Sequence, residues 1–230
     1  MKKIILLYNF TSIMAQPWLD AGYEVWSFDG QHPDGITRDG NHVKCGMWFD
    51  AFNIFNHCDH IAKIVGPGVE MVFGFPECTD IAVSGAAHFE KKLQADPLCQ
   101  WKAVQLAHLT RLVGDKYKCK WAFENPVSVL STQWRKPDFR FDPFEYGGYL
   151  PEDDSHPIYP EYIKSRDAYP KKTCIWCGNG FVKPKKRPVE VEQGYSDQHK
   201  KLGGKSLKTK NIRSATPRGF AIAVYTWNAL

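Results

Sequence analysis

"KIILLYNFTSIMAQPWLDAGYEVWSFD", residues 3–29, sets two short apolar runs around a stretch of helix-compatible residues. The runs 3–9 and 23–29 are rich in branched and aromatic side chains, which suit a pleated strand, and "AQPWLDAG" between them reads as a short helix ending at Gly22. The same strand pattern returns in "VEMVFGF" (69–75) and "CKWAFEN" (119–125). Between those two, "DPLCQWKAVQLAHLTRLVGD" (96–115) predicts a helix, with Asp96 as N-cap, Pro97 at the first helical position, and an apolar stripe of Leu98, Trp101, Val104 and Ala107. Strands alternating with helices imply an α/β fold with a mostly parallel sheet, and such sheets bind ligands beyond the carboxyl ends of their strands.

After Pro126 the alternation stops. Residues 133–212 are rich in Pro, Gly, Lys and aromatic residues, with short strand candidates such as "KTCIWCG" and "RPVEVEQ". The organisation expected is a catalytic domain over 1–132, a small irregular lobe over 133–212, and a last helix within 213–230 that rejoins the sheet. In that helix Thr216 caps, Pro217 opens, and Phe220, Val224 and Trp227 form the stripe.

The 230 residues carry 43% hydrophobic and 24% charged side chains, ordinary values for a globular chain able to build a core. "MKKIILLYNF" reads as a first strand, because no small-residue cleavage site follows it. No apolar run approaches the roughly 18 residues of a membrane span, so no membrane partner is expected. Seven scattered cysteines point to a reducing cytoplasm, where thiols remain available for chemistry. Oligomeric state is not readable.

Charge is uneven. Residues 171–218 hold 13 Lys and Arg against 3 Asp and Glu, a net of +10, while the rest carries 17 against 22. Basic residues interleaved with Trp176, Phe181 and Tyr195 suit a nucleic-acid backbone and exposed bases, so DNA is the expected partner of 171–218. The alternative is a solvated lysine-rich loop.

"FGFPECTDIAVSGA" (73–86) places Cys78 just after a strand and ahead of small residues. A thiol at a strand-to-helix turn gains thiolate character from a helix N-terminus. Glu124 ends another strand and faces the same cleft by this reading. Thiolate and carboxyl together can activate a pyrimidine: the thiolate adds to C6 while the acid engages N3, and C5 becomes nucleophilic. On the residues alone, a buried core thiol remains the competing reading.

Four segments, in chain order, resemble the cytosine-C5 DNA methyltransferase family, and more closely its short divergent bacteriophage members: "NFTSIMAQPWLDAGYEV", "GFPECTDIAVSGA", "ENP" and "IRSATPRGFAIAVYTWNA". The resemblance implies a Rossmann-like methyltransferase fold, S-adenosylmethionine as donor, Cys78 as nucleophile and Glu124 as the N3 partner, with Pro76 and Asn125 ordering the loop. Phe10, Thr11, Ser12 and Ile13 match the cofactor loop, with Ser12 and Met14 standing where the family has glycines, and Asp29 matches the carboxylate that bonds the ribose. Glu77 intervenes between Pro76 and Cys78, as the short phage members tolerate. "KKTCIW" resembles the basic segment holding the pyrimidine carbonyl, which gives Lys171, Lys172 or Thr173 that role, and Arg213 and Thr216 match the late motif. The short lobe implies little sequence readout. Two other functions remain open: modification of a free pyrimidine nucleotide such as dCMP, and a non-catalytic nucleic-acid-binding descendant.

No metal is expected. Cys174 and Cys177 form one C-x-x-C with no second pair at useful spacing. His57, Cys58, Asp59 and His60 are neighbours that point to different faces of any regular element.

Overall fold

The computed structural model describes residues 1–191, 197–203 and 206–229. Its strands are β1 (Lys3–Leu7), β2 (Glu24–Asp39), β3 (His42–Gly46), β4 (Val69–Gly74), β5 (Lys120–Pro126), β6 (Phe139–Phe141) and β7 (Thr173–Gly178). Its helices are α1 (Gln16–Asp20), α2 (Ile54–Val65), α3 (Phe89–Ala95), α4 (Cys99–Tyr117), α5 (Leu130–Gln133), α6 (Asp197–Lys201), α7 (Leu207–Ser214) and α8 (Arg218–Asn228). The chain is α/β, with one seven-stranded mixed sheet ordered β3-β2-β1-β4-β5-β7-β6. The pairs β1–β2, β1–β4 and β4–β5 are parallel, and β5–β7 is antiparallel.

The chain divides into two compact units. The first comprises 1–10, 18–140 and 173–181, and the second 11–17, 141–172 and 182–230. This differs from the boundaries read in the sequence at two places. β7, assigned there to the lobe, lies in the sheet against β5, because Cys174, Ile175 and Trp176 are fully buried and extend its apolar surface. α8, assigned to the sheet domain, belongs to the second unit, where Phe220 stacks on Phe141 (ring centroids 4.1 Å apart) and packs against Tyr146.

In the first unit, the core gathers Ile5, Leu7, Phe28 and Val72 from the sheet with Ile61 of α2 and Val104, Ala107 and Val113 of α4. α4 begins two residues later than predicted, with Leu98 and not Asp96 at the N-cap; Asp96 Oδ1 instead accepts the Leu98 N–H at 3.0 Å, in the turn ahead of the helix. The predicted stripe is rotated: Leu98 and Trp101 are exposed, and Ala103, Leu109, Thr110 and Gly114 share the buried positions with Val104, Ala107 and Val113. Gly114 permits this, because a Cβ there would overlap the Trp121 side chain.

β2 is bent in two. Its first leg runs in the same direction as β3, Val25 to Asp29 pairing His42 to Gly46, and its second leg runs against β3, with Ile36 opposite Cys45 and Asp39 opposite His42. β3 therefore lies between two legs of one strand. Nothing in the apolar periodicity signalled β3 or the second leg, since residues 34–40 are exposed and, apart from Ile36, carry no large apolar side chain.

In the second unit, a small core of Ile13, Ile163, Tyr169 and Ala215 is flanked by Tyr159 and Tyr162. Arg166 and Asp167 both adopt left-handed backbone (φ 54° and 49°), a costly conformation for residues with a Cβ. Two interactions hold it: the Arg166 N–H donates to Asp154 Oδ2 at 2.8 Å in a half-buried bond, and Asp167 Oδ2 accepts the Gly219 N–H at the start of α8, also at 2.8 Å, in a buried one. No helix among the described residues is long and apolar enough to cross a membrane.

Candidate functional site

The strongest constellation lies beyond the carboxyl ends of β4 and β5, within the first unit. Gly74 pairs with Phe123, so Glu124 stands one residue past that register point while the chain leaves β4 through Phe75, Pro76 and Glu77 to Cys78. Several hydrogen bonds fasten the loop to the end of β5. Asn125, 1% exposed, donates from Nδ2 to the Pro76 carbonyl at 3.0 Å. Ala82 bridges Ser128, the Val83 N–H donates to Val127 O at 2.9 Å, and the Val129 N–H donates to Ile81 O at 3.0 Å. Cys78 closes the turn itself, its carbonyl accepting from the Ile81 and Ala82 N–H groups.

Cys78 is half-buried and packs on the main core, while Glu124 is half-buried on β5. Alternation along β5 places Glu124 on the face of Ala122 and Asn125 on the face of Phe123. The expected helix N-terminus behind the thiol is absent: a 3-10 segment, Val83–His88, follows the turn, and α3 begins only at Phe89. The small residues of "IAVSGAA" form that tight segment, so a helix dipole supplies no activation of Cys78.

A second grouping sits where β1 and the first leg of β2 end. Asp29 is half-buried, its Oδ1 accepting the Gln31 N–H at 2.8 Å, and burial raises its carboxyl above the usual range. His32, 6% exposed, bonds through Nε2 to the Asn9 carbonyl at 3.1 Å, and burial lowers its basicity against the opposing pull of Asp29. Phe10 leans on the His32 ring with centroids 5.7 Å apart. Asn9 is 2% exposed and its Oδ1 has no hydrogen-bond partner among the described residues. A nucleoside suits these groups, because the Asp29 carboxylate can accept from a diol, Asn9 Oδ1 lacks a donor, and Phe10 offers an exposed ring. Sequence reasoning found Asp29 and Phe10 but missed Asn9 and His32. The polar "YN" directly after an apolar strand and the "HP" beyond Asp29 were the only signals.

In the second unit, the loop Thr11–Ile13 and the late motif come together. Ser12 has φ 59° and ψ 10°, left-handed backbone that glycine adopts without cost, so a serine here takes the shape a glycine would. Ile13 packs with Ala215, and Met14 and Ala15 are fully buried. Thr216 is buried, but Pro217 occupies the N-cap position of α8, so Thr216 precedes the cap expected of it. Arg213 donates to the Leu202 carbonyl at 2.7 Å and its own carbonyl accepts from Lys171 Nζ at 2.7 Å. Lys172 is exposed, whereas Thr173 is buried at the start of β7. The described residues thus give Arg213 a role in joining α7 to neighbouring loops.

The aromatic part of the basic segment is also reassigned. Trp176 is fully buried in the sheet, stacked on Phe123 with centroids 5.4 Å apart, and is unavailable to a base. Phe181 packs near Phe73, and Tyr195 lies outside the described residues. The cysteine and histidine groupings disperse. Cys58 faces the core with its thiol pushed up to about 11, Asp59 pairs with Lys116 at 2.8 Å, and His57 Nε2 accepts the Asp50 N–H. Cys174 is buried while Cys177 meets Asp138, its N–H donating to Oδ2 at 2.8 Å. No protein-family model matches this chain, and no curated protein matches it in sequence.

Proposed function

We propose that this protein is an S-adenosylmethionine-dependent DNA cytosine-C5 methyltransferase of Rossmann-like fold. The observation that carries the reading is the fastening of the Cys78 loop to the Glu124 strand by Asn125 and Pro76. It gives a thiol and a carboxyl at neighbouring strand ends a fixed relationship, as a concerted addition requires.

In this reading the target cytosine is flipped out of the stack. The Cys78 thiolate forms a bond to C6 while Glu124 hydrogen-bonds or protonates N3, and electron density moves to C5. The donor, when bound, supplies an electrophilic methyl group. After C5 has taken that group, loss of the C5 proton restores the double bond and expels Cys78. Asp29 and Asn9 are assigned to the nucleoside part of the donor. Exposed Lys185, Lys186 and Arg187 are assigned to DNA phosphates.

The test is covalent trapping. Wild-type protein should form a stable adduct with DNA containing 5-fluorocytosine in the presence of donor, because the fluorine cannot leave as a proton does. Cys78→Ser should form none. An adduct surviving in that variant removes Cys78 from the mechanism. Calorimetric titration with S-adenosylmethionine should show binding that Asp29→Ala weakens, and absence of binding to the wild type would reject the donor.

A further inference from the structure

The second unit contains an open cavity of about 390 Å³, lined by Ser165, Arg166 and Ala168 on one side and by Pro188, Val189 and Glu190 on the other. Its construction is unusual for a surface depression. Arg166 is held in left-handed backbone by the bond from its N–H to Asp154, and Asp154 is further engaged by the Arg218 guanidinium. Asp154 therefore serves the Arg166 backbone and a different arginine. The Arg166 side chain has no ion pair or hydrogen bond among the described residues, and its Nε is buried without an acceptor. Other arginines are engaged: Arg38 with Glu24, Arg111 with Asp115, Arg135 with Asp138 and Arg213 with the Leu202 carbonyl.

The opposite wall is a strap, residues 183–189, fixed by backbone bonds. The Arg187 N–H donates to Glu145 O at 2.9 Å, the Gly148 N–H to Arg187 O at 2.8 Å, and the Val189 N–H to Phe144 O at 3.0 Å. Gly147 lets the walls close, since a Cβ there would overlap the Arg166 carbonyl and the Val189 side chain. The strap exposes Lys183, Lys185, Lys186 and Arg187; Arg187 lies over the Tyr149 ring at 4.4 Å. A half-buried guanidinium without an acceptor, a hydroxyl beside it and a basic approach make a receptor for an oxyanion. Glu190 on the rim adds one negative charge, which disfavours a dianionic phosphate relative to a singly charged diester.

We infer that the cavity between Arg166 and the strap binds a phosphodiester of the nucleic-acid backbone, with Arg166 as its principal contact. Strained backbone is tolerated where the side chain it presents has a use, and here that use is a phosphate clamp. The inference rests on the reading of DNA as substrate and adds the residue that grips it.

The test uses Arg166→Gly, which removes the guanidinium while suiting the left-handed backbone, with thermal melting to show that the fold persists. Fluorescence anisotropy with a labelled oligonucleotide should show about tenfold weaker binding at 0.1 M salt, and a slope of log affinity against log salt smaller by about one. Arg166→Lys should recover the slope and part of the affinity. Binding of dCMP and of inorganic phosphate should not change. An unaltered oligonucleotide affinity and slope, or a loss seen only with dCMP or phosphate, overturns the proposal. Trapping on 5-fluorocytosine DNA separates the two readings. Normal trapping with an unaltered slope rejects the clamp alone, whereas no trapping by wild type with a reduced slope in Arg166→Gly rejects methyl transfer alone.

Discussion

Asn125 of β5 donates through Nδ2 to the Pro76 carbonyl at 3.0 Å, and both groups are buried. One side chain thereby ties the loop carrying Cys78 to the strand carrying Glu124. Asn125→Ala leaves that carbonyl without its donor and should cost about 1–3 kcal/mol in denaturant unfolding. Hydrogen exchange should quicken at the Val83 and Val129 amides, which span the same junction. Unchanged protection there would mean that the bond does not hold the loop.

Glu124→Gln keeps the shape of the side chain and removes its acid. Under the proposed chemistry, the rate of methyl transfer to DNA should fall by about 10²–10⁴-fold with little change in DNA affinity. A fall in affinity at constant single-turnover rate would make Glu124 a binding group instead.

Ser12 is the position at which a glycine should improve the protein. Its φ of 59° costs a serine more than a glycine, so Ser12→Gly should raise stability by up to about 1 kcal/mol, the looser unfolded chain offsetting part of the gain. Ser12→Val, with a β-branched side chain at positive φ, should lower it. Thermal melting of the pair decides the sign.

The pH dependence of the second unit has a specific source. His156 is 1% exposed, and its Nδ1 accepts the Ile158 and Tyr159 N–H groups at 3.2 and 2.9 Å. Burial, reinforced by Arg218, pushes its pKa down to about 4. A depressed histidine binds its proton more readily when unfolded, so the folded state loses stability as pH falls from about 6.5 to 4. His156→Asn keeps an acceptor and removes the titration. The stability of wild type relative to this variant should drop by on the order of 3 kcal/mol across that window. Asp167 works in the opposite direction, because burial raises its pKa to about 6 and its protonated form favours the folded state below that value. Comparing wild type with the variant isolates His156 from it.

Gly219 is required by its neighbours. A Cβ at that position would overlap the Tyr146 carbonyl oxygen, a backbone atom that cannot turn aside. Gly219→Ala should destabilise the second unit by about 1–3 kcal/mol, measured as an earlier loss of tertiary signal on heating.

The parallel strands were legible because each is a short apolar run bounded by a turn residue, and β1, β4 and β5 fall within a residue or two of the segments read. β3 was not legible. Its burial comes from being covered on both sides by β2, a fact of pairing that a polar "DGITRDGNHVK" does not announce. Trp176 was misread because its basic neighbours suggested a surface, while strand pairing with β5 puts it in the core. Of the site, Cys78, Glu124 and Asp29 were found as residue types at strand ends. The hydrogen bond from Asn125 to Pro76 needed three dimensions, since 49 positions separate the partners.

The return of β2 along β3 bears on how the protein behaves in a crowded solution. A parallel sheet that stopped at β3 would present unpaired amides and carbonyls beside Val43 and Cys45, ready to join another chain. The border strand is instead residues 34–39, which carry Asp34, Arg38 and Asp39 and expose little apolar surface beyond Ile36. By folding back on itself, the chain exchanges an adhesive margin for a charged one, a guard against self-association.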